Sequence, residues 1–335
     1  MNLTKEQCHN IKGYAIFIIM VHNFVDHLLG INCNEMYYTQ YVTDAFAANL
    51  FTKSSIWYIF SFAGWIGVAP FLFLSGYGLT KKYGNHKIEY AAYCKHHVIK
   101  LLKLLVPVYL LYVLVACLVF DTAFSLQSFI AHLTFTINFF KFDNSGFIID
   151  PGVYWFFGAI LQFYLIFPLI KNFSTKKLWI IVISFVLIYY FNLYVISDDY
   201  FSEWTRHNFI GWTIPFILGM IAARGKLTLT KSQCIIIFPI SLLLLFMCLT
   251  HKILTPFTEV LTIISFISFV HMITLRAVSF LGIISASLFV IHPFVRMFFY
   301  NSFDASEKVL VITLAYLFIS ILLAYLHDKL LKKLS

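Results

Sequence analysis

Apolar positions in this chain neither alternate nor recur along a single face. They run unbroken over lengths that cross a bilayer. Such runs fall at about 11–31, 56–79, 100–120, 153–170, 178–196, 208–223, 233–250, 256–275, 282–300 and 308–327. Inside lipid the backbone has no water to bond, so continuous runs of this kind predict helices, which satisfy their own amide groups. One further stretch, Leu126 to Phe140, carries Gln127, His132, Thr134, Thr136 and Asn138 and is too polar to face lipid on every side. The pattern therefore predicts an all-α integral membrane protein of about ten transmembrane helices, plus one re-entrant or interfacial segment at 126–140.

Composition agrees with the pattern. Hydrophobic residues make up 61% of the chain and charged residues 12%, with a mean hydropathy of +0.84; a soluble domain carries roughly twice that charged fraction. No polar stretch is long enough to fold separately, so residues 1–335 are expected to form one membrane-embedded domain. The first apolar run is of spanning length rather than the short core of a cleavable signal, so the first helix is expected to stay as an anchor. Cys8, Cys33, Cys94, Cys117, Cys234 and Cys248 form no CxxC pair and no metal-ligand spacing, so neither a disulfide framework nor a metal site is expected.

The net charge of +9 is read through its position in the chain. With ten crossings and the N-terminus inside, only Lys53, Lys141, Arg206, Lys252, Arg296 and Lys308 of the 24 Lys and Arg residues fall outside. If 126–140 crossed fully, the basic loops 171–177 and 224–232 would face outward. The excess of cations in cytoplasmic loops favours ten crossings with both termini in the cytoplasm. Topology then accounts for the basic charge, and no nucleic-acid partner is expected. The densest basic stretch, 81–104, is cytoplasmic in this arrangement.

Candidate chemistry starts in the first helix, at KGYAIFIIMVHNFVD (Lys12 to Asp26). Ten residues of helix separate Lys12 from His22, about 15 Å, which is also about half a hydrocarbon core. Lys12 is thus expected at one interface and His22 near the midplane. Asp26 follows His22 by one turn and could hold the imidazole in one tautomer. A titratable group at membrane depth is a functional candidate; the competing reading is a packed polar histidine.

Four blocks in this order resemble the membrane-bound acyltransferase family 3: IKGYAIFIIMVH, GVAPFLFLSGYGLTKKY, YWFFGAILQFYLIFPLI and SLFVIHPFVRMFF. The resemblance covers nearly the whole chain. It implies an enzyme that O-acylates extracytoplasmic carbohydrates or related acceptors. It also implies that His22 serves in acyl transfer and that Lys12 contacts acyl-CoA. The family usually has Arg at the position of Lys12, so a bidentate grip on phosphate is reduced here to a point charge. Many members carry Glu three residues before the Gln of the third block; this chain has Ala159, which makes Asp26 the more interesting partner for His22.

The remaining site expectations follow from the same blocks. Ser75, Gly76 and Tyr77, in the small-residue turn that leads into Lys81 and Lys82, are expected to let backbone approach a ligand or a neighbouring helix. Lys100 and Lys103, three apart on one helix face, resemble the paired arginines of many members and are expected, with Lys81, to meet the phosphates of acetyl-CoA. Gln162 and Tyr164 are polar groups in an aromatic helix. His292 precedes Pro293, which is expected to bend its helix. Arg296, one turn later, should line the cavity or meet a carboxylate such as Asp26, because a buried unpaired arginine in lipid is costly. Trp204, Arg206, His207 and Trp212, with Asp143 and Asp150 of the 126–152 segment, fit either an acceptor site or an interfacial aromatic belt.

The sequence thus predicts a bacterial inner-membrane O-acetyltransferase. It would move acetyl from cytoplasmic acetyl-CoA to a hydroxyl of a cell-surface polysaccharide or its lipid-linked precursor. With no hydrolase-like domain after the last helix, transfer is expected to be completed in the membrane domain or with a separate partner. The alternative is a transporter of polysaccharide precursor or lipid, which would be expected to show two related halves with matching broken helices; no such symmetry is visible.

Overall fold

The computed structural model describes residues 1–29, 38–84, 86–140, 152–196, 198–225, 228–302 and 308–334. Every regular element among them is helical. Cys33, Lys141, Asp143 and Asp150 lie outside the described residues. The chain begins with α1 (Lys5–Leu29) and a short α2 (Gln40–Asn49). The second apolar run is split into α3 (Ser55–Ala63) and α4 (Val68–Tyr83) by a 3-10 turn at Gly64–Gly67. Next come α5 (Tyr90–Val119), the short α6 (Leu126–Leu133), α7 (Trp155–Ile170) and α8 (Thr175–Phe191). The last third contains α9 (Asp199–His207), α10 (Phe209–Arg224), α11 (Lys231–Thr250), α12 (Thr258–Met272), α13 (Arg276–Ile283), α14 (Ser285–Ser302) and α15 (Val309–Leu334). Local sequence sets several starts. Ser125, Ser174 and Asp198 accept N–H groups of α6, α8 and α9, and Thr230 with Gln233 forms a capping box on α11.

Helix occupies all ten apolar runs, but fewer are long and apolar enough to span on their own. Among the described residues seven qualify, or eight if the bent pair Arg276–Ile283 and Ser285–Tyr300 is counted as one. The shortfall from ten is α1 and α10. The 16 residues of α10 give about 24 Å of rise, short of a core of about 30 Å. α1 is long enough, but Lys12, His22, Asn23 and Asp26 make it too polar. Both helices sit inside the bundle. The outer wall comes from helices such as α8 and α11, whose apolar stretches bury only 17% and 22% of their residues, against 61% for Ser55–Tyr83.

Glycines set two of the closest contacts. A Cβ on Gly76 would lie 2.1 Å from the Phe216 carbonyl, and one on Gly219 would lie 2.0 Å from that of Phe73, so α4 and α10 touch backbone to backbone. Gly13 and Gly282 do the same for α1 and α13.

Two local expectations change. α5 begins at Tyr90, so Lys100 and Lys103 lie well inside the helix rather than at its start. The sharp break of the ninth run, 78°, lies between α13 and α14 at Ile284; α14 continues through Pro293. The 126–140 segment is α6 followed by a 3-10 turn at Ile137–Phe139, joined through Phe135 at φ 58°, too short and broken to cross.

Contacts gather Lys81, Lys171 and Arg224 at one end of the bundle. Lys81 Nζ donates to Asn2 Oδ1 at 2.9 Å and Lys171 Nζ to the His86 carbonyl at 2.7 Å. Arg224 donates to the carbonyls of Lys171 and Phe173.

Candidate active site

α1 is walled by α13, α14, α12, α4, α3 and the 3-10 turn between α3 and α4, so its polar groups face protein rather than lipid. His22 is buried at 2% exposure. Its Nδ1 lies 2.9 Å from the Ser61 carbonyl and 3.2 Å from that of Phe60. These carbonyls belong to the last turn of α3, where α-helix gives way to the 3-10 turn; the Phe60 carbonyl also accepts the Gly64 N–H. A carbonyl only accepts, so Nδ1 carries the proton, and in the neutral ring Nε2 holds the basic lone pair. The ring fits because Gly64 has no side chain: a Cβ there would lie 2.1 Å from His22 Cβ and 2.7 Å from Cγ.

Asp26 accepts a hydrogen bond from Ser61 Oγ at 2.5 Å and stands within electrostatic reach of His22. Ser61 therefore joins the two, its carbonyl on the imidazole and its hydroxyl on the carboxyl. The sequence offered Asp26 as a group that could hold the imidazole in one tautomer; in the structure two α3 carbonyls accept from Nδ1, and Asp26 accepts from the hydroxyl of Ser61, which supplies one of those carbonyls.

α14 brings the next groups to α1. Arg296 Nη1 donates to the Asn23 carbonyl at 3.3 Å, Tyr300 Oη donates to the same carbonyl at 2.7 Å, and Arg296 lies over the Tyr300 ring at 5.4 Å. Asp26 is within electrostatic reach of Tyr300. The arginine thus meets α1 between His22 and Asp26, as its insertion cost requires. His292, one turn earlier, is fully buried; its Nδ1 donates to the Leu288 carbonyl of its own helix at 3.1 Å, and its Nε2 is buried without a partner.

At the basic end, Lys12 is half-buried and within electrostatic reach of Lys100, and Lys81, Lys100 and Lys103 are exposed. Ser75 Oγ donates to the Phe71 carbonyl at 2.9 Å. Gly76 is taken up by the α10 contact. Tyr77 Oη donates to the Met1 carbonyl at 3.2 Å and accepts from Leu3 N at 3.0 Å. The turn from Ser75 to Tyr77 therefore ties helices and the N-terminal residues together. Gln162 uses both ends of its amide on the start of α10, donating to Asn208 Oδ1 at 2.7 Å and accepting from Phe209 N at 2.8 Å. Tyr164 stacks on His97, with centroids 4.1 Å apart.

At the other end the aromatic residues form a buried cluster. Trp212 stacks on Trp155 at 5.7 Å and donates to the Arg206 carbonyl at 2.6 Å; Trp155 meets His207 edge-on at 5.4 Å. Burial first, then the Arg206 charge, pushes the His207 pKa well below the ordinary histidine value. Arg206 pairs with Glu203 at 2.6 Å and is within electrostatic reach of His22.

Ser61, Gly64 and Tyr300 were missed as site neighbours, and Arg206 was read only as part of an acceptor site or an aromatic belt. Ser61 and Gly64 form a small-residue SFAG step inside an aromatic run, which is a readable sign of close backbone approach. Nothing local marks Tyr300; only the helix packing brings it in.

The family model described as "Acyltransferase domain" matches residues 9–329. Among curated proteins and among solved structures, nothing matches. The match spans nearly the whole chain, from just before Lys12 into the last turns of α15, and includes His22, Asp26 and Arg296: the chain belongs to the acyltransferase 3 family.

Proposed function

We propose that this acyltransferase is an O-acetyltransferase of the bacterial inner membrane, moving acetyl from cytoplasmic acetyl-CoA to a hydroxyl of a cell-surface polysaccharide or its lipid-linked precursor. The observation that supports this reading is the locked imidazole of His22, buried mid-helix with Nδ1 on two backbone carbonyls. Its Nε2 takes the proton of the acceptor hydroxyl as that oxygen attacks the thioester carbonyl carbon. The C–S bond breaks, and the departing thiolate of CoA recovers the proton from the imidazolium, so acetyl ester and free thiol are formed with no net proton change. A positioned base of this kind is worth about 10²–10⁴ in rate. Lys12, Lys81, Lys100 and Lys103 would hold the donor phosphates at the basic end, and ten residues of α1 carry the line of approach about 15 Å to His22. Arg296, in the same neighbourhood, would stabilise the oxyanion of the tetrahedral intermediate.

The test is surface-glycan acetylation in cells lacking the gene, complemented with wild type or with His22→Ala at matched membrane expression. Base-labile acetyl esters on purified glycan are read by NMR. Wild type should restore them and His22→Ala should not. Full restoration by the variant would make His22 a packing residue. No ester with wild type would remove the acetyl–glycan reading.

A further inference from the structure

Besides the α1 site, the bundle buries a second group of polar atoms that nothing in the proposed acyl-transfer step uses. It lies at the basic end, where α5 meets α7 and the end of α4. His97 is 7% exposed and Tyr93 6%. The His97 ring is in contact with two tyrosines, Tyr93 at 4.4 Å and Tyr164 at 4.1 Å, and Tyr93 meets Tyr83 of α4 edge-on at 5.3 Å. Both nitrogens of His97 and the hydroxyl of Tyr93 are buried and without a hydrogen-bond partner. One orphaned polar atom is an ordinary imperfection. Three in contacting rings, including both nitrogens of one imidazole, are not, because buried polar atoms nearly always find a protein or solvent partner.

The surroundings indicate the class of partner. Lys82 and Lys100 stand within electrostatic reach of His97, and Lys100 within reach of Lys12. Cations therefore adjoin a cluster of aromatic rings whose unpartnered atoms offer at least one donor and one acceptor. On α5, His97 and Lys100 are three residues apart on one face. A ligand matching this order has anionic groups at one end and a neutral chain carrying amide donors and acceptors next to them.

We propose that His97 and Tyr93 form the subsite for the pantetheine arm of the acyl donor. The amides of that arm would pair with the imidazole nitrogens and the phenol, while Lys82 and Lys100 take the phosphates. This rests on the acyl-CoA reading above and adds to it a pair of specificity-determining residues on α5. They predict selection for the donor arm that is independent of its charge.

The experiment is equilibrium binding by the full-length protein in lipid nanodiscs, with CoA and, separately, pantetheine, which has the arm without nucleotide or phosphate. Three variants are compared with wild type: Tyr93→Phe, which removes one unpartnered hydroxyl and keeps the ring; His97→Phe, which keeps the stacked ring and removes both nitrogens; and Lys100→Ala. Wild type should bind both probes. Tyr93→Phe and His97→Phe should weaken both by the same factor, about tenfold for the loss of one or two hydrogen bonds. Lys100→Ala should weaken CoA and leave pantetheine unchanged. Wild-type affinity for both probes in Tyr93→Phe, whose fold loses no hydrogen bond, overturns the subsite while the donor reading stands. A wild-type protein that binds neither probe overturns the donor reading and the subsite with it.

Discussion

His22 and His292 are alike in most respects that a sequence reader would weigh. Each lies in a family block, is almost fully buried, and places Nδ1 on a backbone carbonyl. They differ in where the carbonyl comes from. His292 bonds the residue four back in its own helix, a local arrangement that a polar side chain makes in any helix. His22 bonds two carbonyls of α3, across an interface cleared by Gly64, and its anchor Ser61 is braced in turn by Asp26. A general base must be held to within a fraction of an ångström by groups that cannot themselves drift. Only the His22 region meets that condition. His292 keeps one buried nitrogen unpartnered, which suits a wall of the site more than its working group.

Paired substitutions give the widest separation. His22→Ala should lower acetyl transfer by about 10²–10⁴, whereas His292→Ala should lower it less than about tenfold, in single-turnover assays at matched thermal stability. Equal losses would break the comparison and place His292 against the reacting atoms.

The next effect comes from the floor under the ring. Gly64→Ala puts a methyl 2.1 Å from His22 Cβ, and the ring, α1 or the 3-10 turn must move. A displacement of about 1 Å at the reacting group costs about 10²-fold in rate, and overpacking costs about 1–3 kcal/mol of stability. Gly78→Ala, where an added Cβ meets nothing within 4 Å, should change neither. Activity and melting temperature, measured together, check both variants.

This contrast also marks what could be read from residues alone. The all-helical class, the polar α6 segment and the special standing of α1 follow from run length and from the few charges that interrupt it, and these are chain-local properties. The span count was less legible, because α1 and α10 are short or polar enough to depend on neighbours for cover. So was the division of labour around His22. The i, i+4 spacing made Asp26 the natural partner, but hydrogen bonds to backbone carbonyls leave no trace in side-chain identity. The glycines show the same limit. In SGYG, Gly76 serves helix packing and Gly78 faces open space, while Gly64, outside the motif, is the one the histidine requires.

The smallest effect tests the brace itself. Ser61→Ala keeps the carbonyl that fixes His22 Nδ1 and removes the hydroxyl that Asp26 accepts. Losing a hydrogen bond between a hydroxyl and a carboxyl group costs about 1–2 kcal/mol, so turnover should fall about tenfold or less. Because the basic residues that would hold the donor lie about two to three helical turns away along α1, KM for acetyl-CoA should not change. Ser61→Thr, which retains the hydroxyl, should recover most of the turnover if the added methyl is accommodated. A fall in kcat alone, rescued by threonine, assigns Ser61 and Asp26 to positioning the imidazole. An unchanged kcat would mean that the two α3 carbonyls hold His22 without help, and Asp26 would then have to act on the acceptor or on Arg296 instead.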